Sequence, residues 1–245
     1  MTRRPWPKAV LFDLDDTLWP IAPVIRAAET VLYGWLQQHA PRVAAHFTID
    51  SLRQARLESL ARQPEYGIDL AALRRAGLVA AFGQVGEDIA KVDDAMTLFS
   101  AARNAVKPYD DVVPGLTRLR QLVLVGSVTN GVADLAAIGL AGQFQASVAA
   151  RDFGRAKPDP GIFLVGCAAL GVLPADTLYV GDDLLLDVQG AQQAGLRAAW
   201  MNRSGKRNDL AEQVQPDVEV DSIDALLDWL GKQHEHPHTQ RQIRV

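Results

Sequence analysis

Residues 9–18 read Ala9-Val10-Leu11-Phe12-Asp13-Leu14-Asp15-Asp16-Thr17-Leu18. Val10, Leu11 and Phe12 form a continuous apolar run, the pattern of a strand covered on both faces, as in a parallel sheet. That strand runs directly into three carboxylates and a threonine. Unpaired carboxylates beside a core are costly, so something must compensate them. A divalent cation with oxygen ligands does so most simply.

The same pattern recurs further along the chain. Leu122–Val128 is a second apolar run, ending at Thr129-Asn130-Gly131. Ala146–Ala149 reads as a third strand, Thr177–Val180 as a fourth ending at Gly181-Asp182-Asp183, Arg197–Met201 as a fifth, and 217–220 as a short sixth. Between them lie helical patterns over about 116–121, 131–140, 160–170, 184–194 and 223–230. Strands alternating with helices argue for a doubly wound, Rossmann-like parallel α/β sheet, which binds ligands beyond the carboxyl ends of its strands. Residues 21–105 interrupt the alternation. Helical spacing is read there over about 24–38, 50–62, 69–82 and 86–106, with no strand signal. The expected organisation is therefore a core of residues 1–20 and 106–233, an inserted all-α cap over 21–105, and a flexible tail over 234–245. The tail carries His234, His236 and His238.

Composition narrows the classes. The 245 residues carry a net charge of −4, which gives no reason to expect a nucleic-acid partner. The helical insert has nine Lys/Arg and nine Asp/Glu, a difference of zero, so it is no trap for large polyanions. The single cysteine, Cys167, sits in an apolar helical pattern and reads as a core residue. No apolar run approaches membrane-spanning length, and the N-terminal apolar segment is too short for a secretory signal, so the expected location is cytoplasmic.

The polar clusters all fall after strands: Asp13, Asp15 and Thr17, then Thr129 and Asn130, then Asp182, Asp183 and Asp187, with Lys157 in the loop after the third strand. Carboxylates gathered without nitrogen or sulfur ligands favour Mg²⁺, which completes its shell with waters and a substrate phosphate. Thr129 offers a hydroxyl, Asn130 and Gly131 offer backbone N–H groups at an expected helix N-terminus, and Lys157 offers a fixed charge. This set suits a phosphoryl group. Asp13 and Asp15, two apart at a strand end, can face one cavity, one attacking phosphorus while the other handles the proton of the leaving alcohol.

Asp13-x-Asp15-x-Thr17, Thr129-Asn130, Lys157 in Ala-Lys-Pro-Asp-Pro and Gly181-Asp182-Asp183-x-x-x-Asp187 occur in that order. Four such motifs in order are specific, and the chain resembles a haloacid-dehalogenase-superfamily phosphatase with a helical cap. The resemblance implies Asp13 as nucleophile, forming an aspartyl-phosphate, and Asp15 as general acid/base. It implies Mg²⁺ held by Asp13, Asp182 and the backbone carbonyl of Asp15, with Asp187 supporting. It implies Thr129, Asn130 and Lys157 on the phosphoryl oxygens, Lys157 also bridging to the nucleophile, and Thr17 steadying the Asp15 region. Asp183 takes an outer position or none. The implied activity is hydrolysis of a small soluble phosphate ester.

A phosphomutase shares this core and is the nearest alternative. Dehalogenation needs no proton for halide departure, and members with that chemistry resemble this pattern without the second aspartate. A phosphoacceptor signalling module would carry its acid pair before the acceptor and would have no use for inserted helices. Trp19, Arg53, Arg56, Arg62 and Tyr66 are the candidates to face the cavity from the cap side.

Overall fold

A computed structural model describes residues 6–234. The tail expected from 234 onward lies outside the described residues, except that the backbone of position 234 closes the last helix. The first strand, β1, is Ala9–Phe12, buried throughout. Five helices follow: α1 Ile21–His39, α2 Pro41–His46, α3 Ile49–Arg62, α4 Leu70–Gln84 and α5 Val92–Arg103. The chain then gives α6 Val112–Leu119, β2 Leu124–Thr129, α7 Leu135–Ile138, β3 Ala146–Ala149, α8 Ala150–Phe153 and α9 Pro160–Ala169. It ends with β4 Thr177–Gly181, α10 Gly190–Gln193, β5 Arg197–Met201, β6 Val218–Val220 and α11 Ile223–His234.

All six strands are parallel, in the order β3-β2-β1-β4-β5-β6. The strand order therefore reverses beside β1, where such sheets open a crevice at their carboxyl edge. Alternation along β1 divides the core. Val10 and Phe12 join Leu116, Leu119, Ile223 and Leu226 of α6 and α11 on one face. Ala9 and Leu11 join Ile162, Phe163, Tyr179 and Val188 on the other. A third apolar cluster, with Leu32, Leu36, Leu78, Phe82 and Phe99, belongs to the helices between β1 and β2. Among the described residues no helix is long and apolar enough to cross a membrane.

The structure departs from the sequence reading in several local places. Helix α2 was not anticipated; Pro41 sits at its first position, where its fixed φ favours initiation. The helix expected over 86–106 divides into a 3₁₀ turn at Ile89–Lys91 and α5, because Gly86 takes a φ of +64° and the Asp88 carboxylate caps the backbone N–H of Ala90. The helix expected over 116–121 starts earlier, at Val112, with Pro114 in its first turn, where no N–H is required. The helix expected over 131–140 shrinks to α7, capped by Asp134 and stopped by Gly139 at φ +83°. The expected N-terminal cradle at Asn130 and Gly131 is therefore absent: those residues lie in a bend before the helix.

Candidate active site

The register of the sheet sets the site. Phe12 pairs with Ser127 on β2 and with Val180 on β4, so Asp13 emerges at the rim between the ends of both strands. Its backbone N–H donates to the Val180 carbonyl at 2.9 Å, extending the ladder one residue beyond β1. The chain then turns sharply. Asp16 takes a φ of 61°, a left-handed conformation that Asp tolerates better than most residues. Its N–H donates to the Trp19 carbonyl, and its carboxylate accepts from the N–H of Ile21 at the start of α1.

Asp13 is almost fully buried. Its Oδ1 accepts from Lys157 Nζ at 2.6 Å, and its Oδ2 accepts from the Thr17 hydroxyl at 3.2 Å. Thr17 thus steadies Asp13 rather than the Asp15 region, and lies 3.5 Å from Asp182 Oδ1. Lys157 Nζ also donates to Asp187 Oδ1 at 2.6 Å and to the Tyr179 hydroxyl at 3.1 Å. The Tyr179 hydroxyl itself donates to the Val128 carbonyl at 2.8 Å. One ammonium is therefore fixed by two carboxylates and a phenol, 144 residues away in sequence from the first of them.

Asp183 has a structural task. Its Oδ1 caps the N–H groups of Leu185 and Leu186, opening a π-helical turn over Leu184–Gln189 that leads into α10. Its own N–H donates to Asp187 Oδ2 at 3.0 Å. The wide turn sets Asp187 under Gly181, so closely that a Cβ on Gly181 would overlap the Asp187 carboxylate.

Asn130 is committed to the Lys157 loop: its Nδ2 donates to the Lys157 carbonyl at 3.1 Å, and its Oδ1 accepts the Lys157 N–H at 2.7 Å. Only its backbone remains to meet a phosphoryl oxygen. The Thr129 hydroxyl oxygen accepts the Gly131 N–H at 2.9 Å, which leaves its proton free to donate outward.

Asp15 stands apart from this cluster. Arg103 Nη2, from the last turn of α5, donates to Oδ1 and Oδ2 at 2.7 and 2.6 Å, and Trp19 Nε1 donates to Oδ1 at 2.8 Å. A Cβ at Gly131 would lie 2.5 Å from Asp15 Oδ2, so the absence of a side chain there lets the carboxylate sit where it does. Of the cap-side candidates, Arg56 lines the cleft, while Trp19 is fully buried in the sheet core and meets the site only through its N–H on Asp15. Arg53 is paired with Glu29 and Asp50. Arg62 is exposed and Tyr66 half-buried, and neither lines the cavity beside Asp15. Arg103 and Tyr179 were not singled out from the sequence.

Asp13, Asp182 and Asp187 present oxygens within 4.8 Å of one another. Fully ionised, the three carboxylates would exceed the single Lys157 ammonium by two charges, and the donors are all oxygen, a set that fits a hard divalent cation. Burial pushes Asp13 up to about 8, against the lowering pull of Lys157. Burial, and then the neighbouring Asp187, pushes Asp182 up to about 7. Burial also opposes the charge of Lys157, yet Asp13 and Asp187 hold it well above the usual lysine value.

These raised carboxyls fix the sign of a pH effect. Above the ordinary value of 3.8, the folded metal-free chain keeps protons that the unfolded chain has released. Their stabilising contribution is complete below that value and is lost as pH rises through about 7 and then about 8. In EDTA, Tm should fall as pH is raised from about 6 to beyond 8. A flat or rising profile would contradict this account of the cluster.

Comparison with known proteins agrees with the geometry. The profile of the haloacid dehalogenase-like hydrolases matches residues 7–195. The chain is 33% identical over 243 residues to a glyceraldehyde 3-phosphate phosphatase of Methanopyrus kandleri, covering 90% of this chain and 96% of that one. Among solved structures, a 2-haloacid dehalogenase from Pseudomonas syringae pv. Tomato is 36% identical with a TM-score of 0.85, covering 92% of this chain and 99% of that one. A haloacid dehalogenase-type phosphatase from Thermococcus onnurineus is 28% identical with a TM-score of 0.68, covering 91% and 98%.

Proposed function

Since the chain belongs to the haloacid dehalogenase-like hydrolase family and is a phosphoric monoester hydrolase, we propose that it cleaves a small soluble ester with Mg²⁺ through an aspartyl-phosphate on Asp13. One observation carries this reading: Asp13, Lys157, Asp182 and Asp187, from three separate segments of chain, meet at one rim as an all-oxygen acid cluster around a single ammonium.

The residues divide the work. A carboxylate oxygen of Asp13 attacks phosphorus in line with the ester oxygen, and the bond to the leaving alcohol breaks. Lys157 and Thr17 hold Asp13 in one rotamer, since each engages one of its oxygens. The free hydroxyl proton of Thr129 and the charge of Lys157 meet the phosphoryl oxygens, and Asn130 acts by tethering the Lys157 loop. Asp15 gives its proton to the leaving alkoxide. It then takes one from the water that attacks the acyl phosphate, which frees phosphate and restores the Asp13 carboxylate. Mg²⁺, held by Asp13, Asp182 and the backbone carbonyl of Asp15 with Asp187 behind, would offset phosphoryl charge and fix its orientation. Arg103 now engages both oxygens of Asp15, so proton transfer requires that contact to loosen. The helices over 21–105 serve as a cap that shields the cleft from water, the substrate is drawn from the cytoplasm, and no membrane or nucleic acid takes part.

The dehalogenase likeness defines the second reading. An acid at position 15 and a cation-demanding cluster have no task in halide displacement, which favours phosphate chemistry. With p-nitrophenyl phosphate, the purified chain should release inorganic phosphate in Mg²⁺, stop in EDTA, and resume when Mg²⁺ is restored. Chloride release from 2-chloropropionate without phosphatase activity would reverse the assignment. Transfer of the phosphoryl group to a second hydroxyl, without free phosphate, would indicate a phosphomutase.

A further inference from the structure

Between the helical insert and the sheet rim lies a cavity of about 360 Å³, of the size that takes a small metabolite. Asp15 is one of its lining residues. Leu73, Met96 and Phe99 give it apolar walls, and four arginines, Arg56, Arg74, Arg103 and Arg151, are among its lining residues. Asp15 is the one carboxylate among the lining residues.

The positive charge is poorly matched. Behind the wall, Glu29 serves Arg56 and Arg74, at 2.8 and 3.8 Å, and shares Arg53 with Asp50. Arg74 lies with its guanidinium carbon 3.6 Å from the centre of the Phe99 ring. Burial, and then repulsion from Arg56, push Arg74 down to about 9. Arg103 is only 2% exposed, and while Nη2 holds Asp15, its Nε and Nη1 are buried with no acceptor. A buried charged donor with unmet N–H groups is disfavoured until an acceptor arrives, and an anionic acceptor answers it best.

We propose that the ester this enzyme cleaves carries a second anionic group on its leaving alcohol, a carboxylate or a further phosphate, and that this group docks on Arg103 with Arg56 and Arg74 beside it. The proposal rests on the phosphatase reading and supplies its substrate class. The scissile phosphoryl sits at Asp13, and the second anion sits on the far side of Asp15. Asp13 and Asp15 are two residues apart, a separation on the order of 7 Å along an extended chain, so the carbon skeleton between the two anions is short. The apolar walls pack against that skeleton. Arg103 turns toward the arriving anion and gives up part of its hold on Asp15. The correct substrate thereby releases the acid that its own alkoxide needs, and an ester without the second anion leaves Asp15 engaged.

The experiment is steady-state kinetics of the full chain with Mg²⁺ on matched esters. Phosphoglycolate is compared with ethyl phosphate, 3-phosphoglycerate with glycerol 3-phosphate, and 1,3-propanediol bisphosphate with propyl phosphate. The expected result is a preference of roughly 10- to 100-fold in kcat/KM for the ester bearing the second anionic group in at least one pair, the scale of a charge-assisted contact. Part of that preference should appear in kcat, because the anion frees Asp15. The pair that shows it tells carboxylate from phosphate. Arg103→Lys, checked for folding by circular dichroism, and Arg56→Gln should each shrink the ratio toward one, while Arg62→Ala, outside the cavity, should leave it unchanged. Equal rates for both members of every pair, or a preference that survives both arginine substitutions, overturn the proposal while leaving the phosphatase reading intact. Failure to hydrolyse any ester overturns the phosphatase reading, and this proposal with it.

Discussion

Asp13→Asn should lower turnover by on the order of 10⁴-fold or more while leaving the fold in place. An amide cannot displace an alcohol from phosphorus, so the loss should fall on kcat. Asn matches Asp in shape. Its carbonyl can still accept from Lys157, and its amide can donate to the Thr17 hydroxyl, the two contacts that Asp13 makes now. Burial already drives Asp13 toward its protonated form, so a neutral side chain relieves a strain in the metal-free protein. Its Tm in EDTA should equal or exceed that of the unsubstituted chain, particularly above neutral pH. Loss of activity together with collapse of the fold would mean that Asp13 is held for structure. Substantial residual turnover would place the nucleophile elsewhere.

Lys157→Ala should do the opposite to stability and similar damage to rate. The ammonium is fully enclosed, with 3% of its side chain exposed, and two carboxylates depend on it at 2.6 Å. Removing one partner of a buried ion pair strands the others, at a cost of about 3–5 kcal/mol. Here two carboxylates and the Tyr179 hydroxyl lose their common partner at once. Loss of the phosphate clamp should remove about 2–4 kcal/mol of transition-state stabilisation in addition. Circular dichroism melts and kcat/KM on the same preparation separate the two effects. Added Mg²⁺ should recover part of the lost Tm, because a second cation can answer the stranded carboxylates. A variant that melts normally and turns over at a near-normal rate would remove Lys157 from the site.

The division between what the sequence revealed and what it concealed follows from the range of the forces involved. The strands are legible because burial on two faces demands unbroken apolar runs such as Val10-Leu11-Phe12 and Leu178-Tyr179-Val180. Strand ends carry the chemistry, so Asp13, Thr129 and Asp182 could be located from where those runs stop. Helix ends are set by local capping: Thr48 and Asp69 accept the N–H groups that open α3 and α4.

Arg103 was hidden for a different reason. It ends a helix like any basic residue in a last turn, and its partner Asp15 lies 88 residues away. No periodicity records such a contact. Tyr179 is hidden within an apolar strand, where its ring fits the core and only its hydroxyl reaches Lys157. Arg203 is a further case. It joins the Thr17 carbonyl to Asp111, tying the nucleophile loop to the foot of α6, across separations of 186 and 92 residues. The side-chain partner of Asn130 was hidden as well, because an amide beside a phosphate motif does not announce that the Lys157 backbone has taken it.

The most direct measurement is a rapid acid quench of the full chain during turnover of a phosphomonoester in Mg²⁺, followed by peptide mass analysis. The account predicts one added phosphoryl group, carried on the peptide containing Asp13 and located at that residue, and absent from Asp13→Asn. Steady turnover with no labelled peptide at any time, or with the phosphoryl group on another side chain, would contradict it.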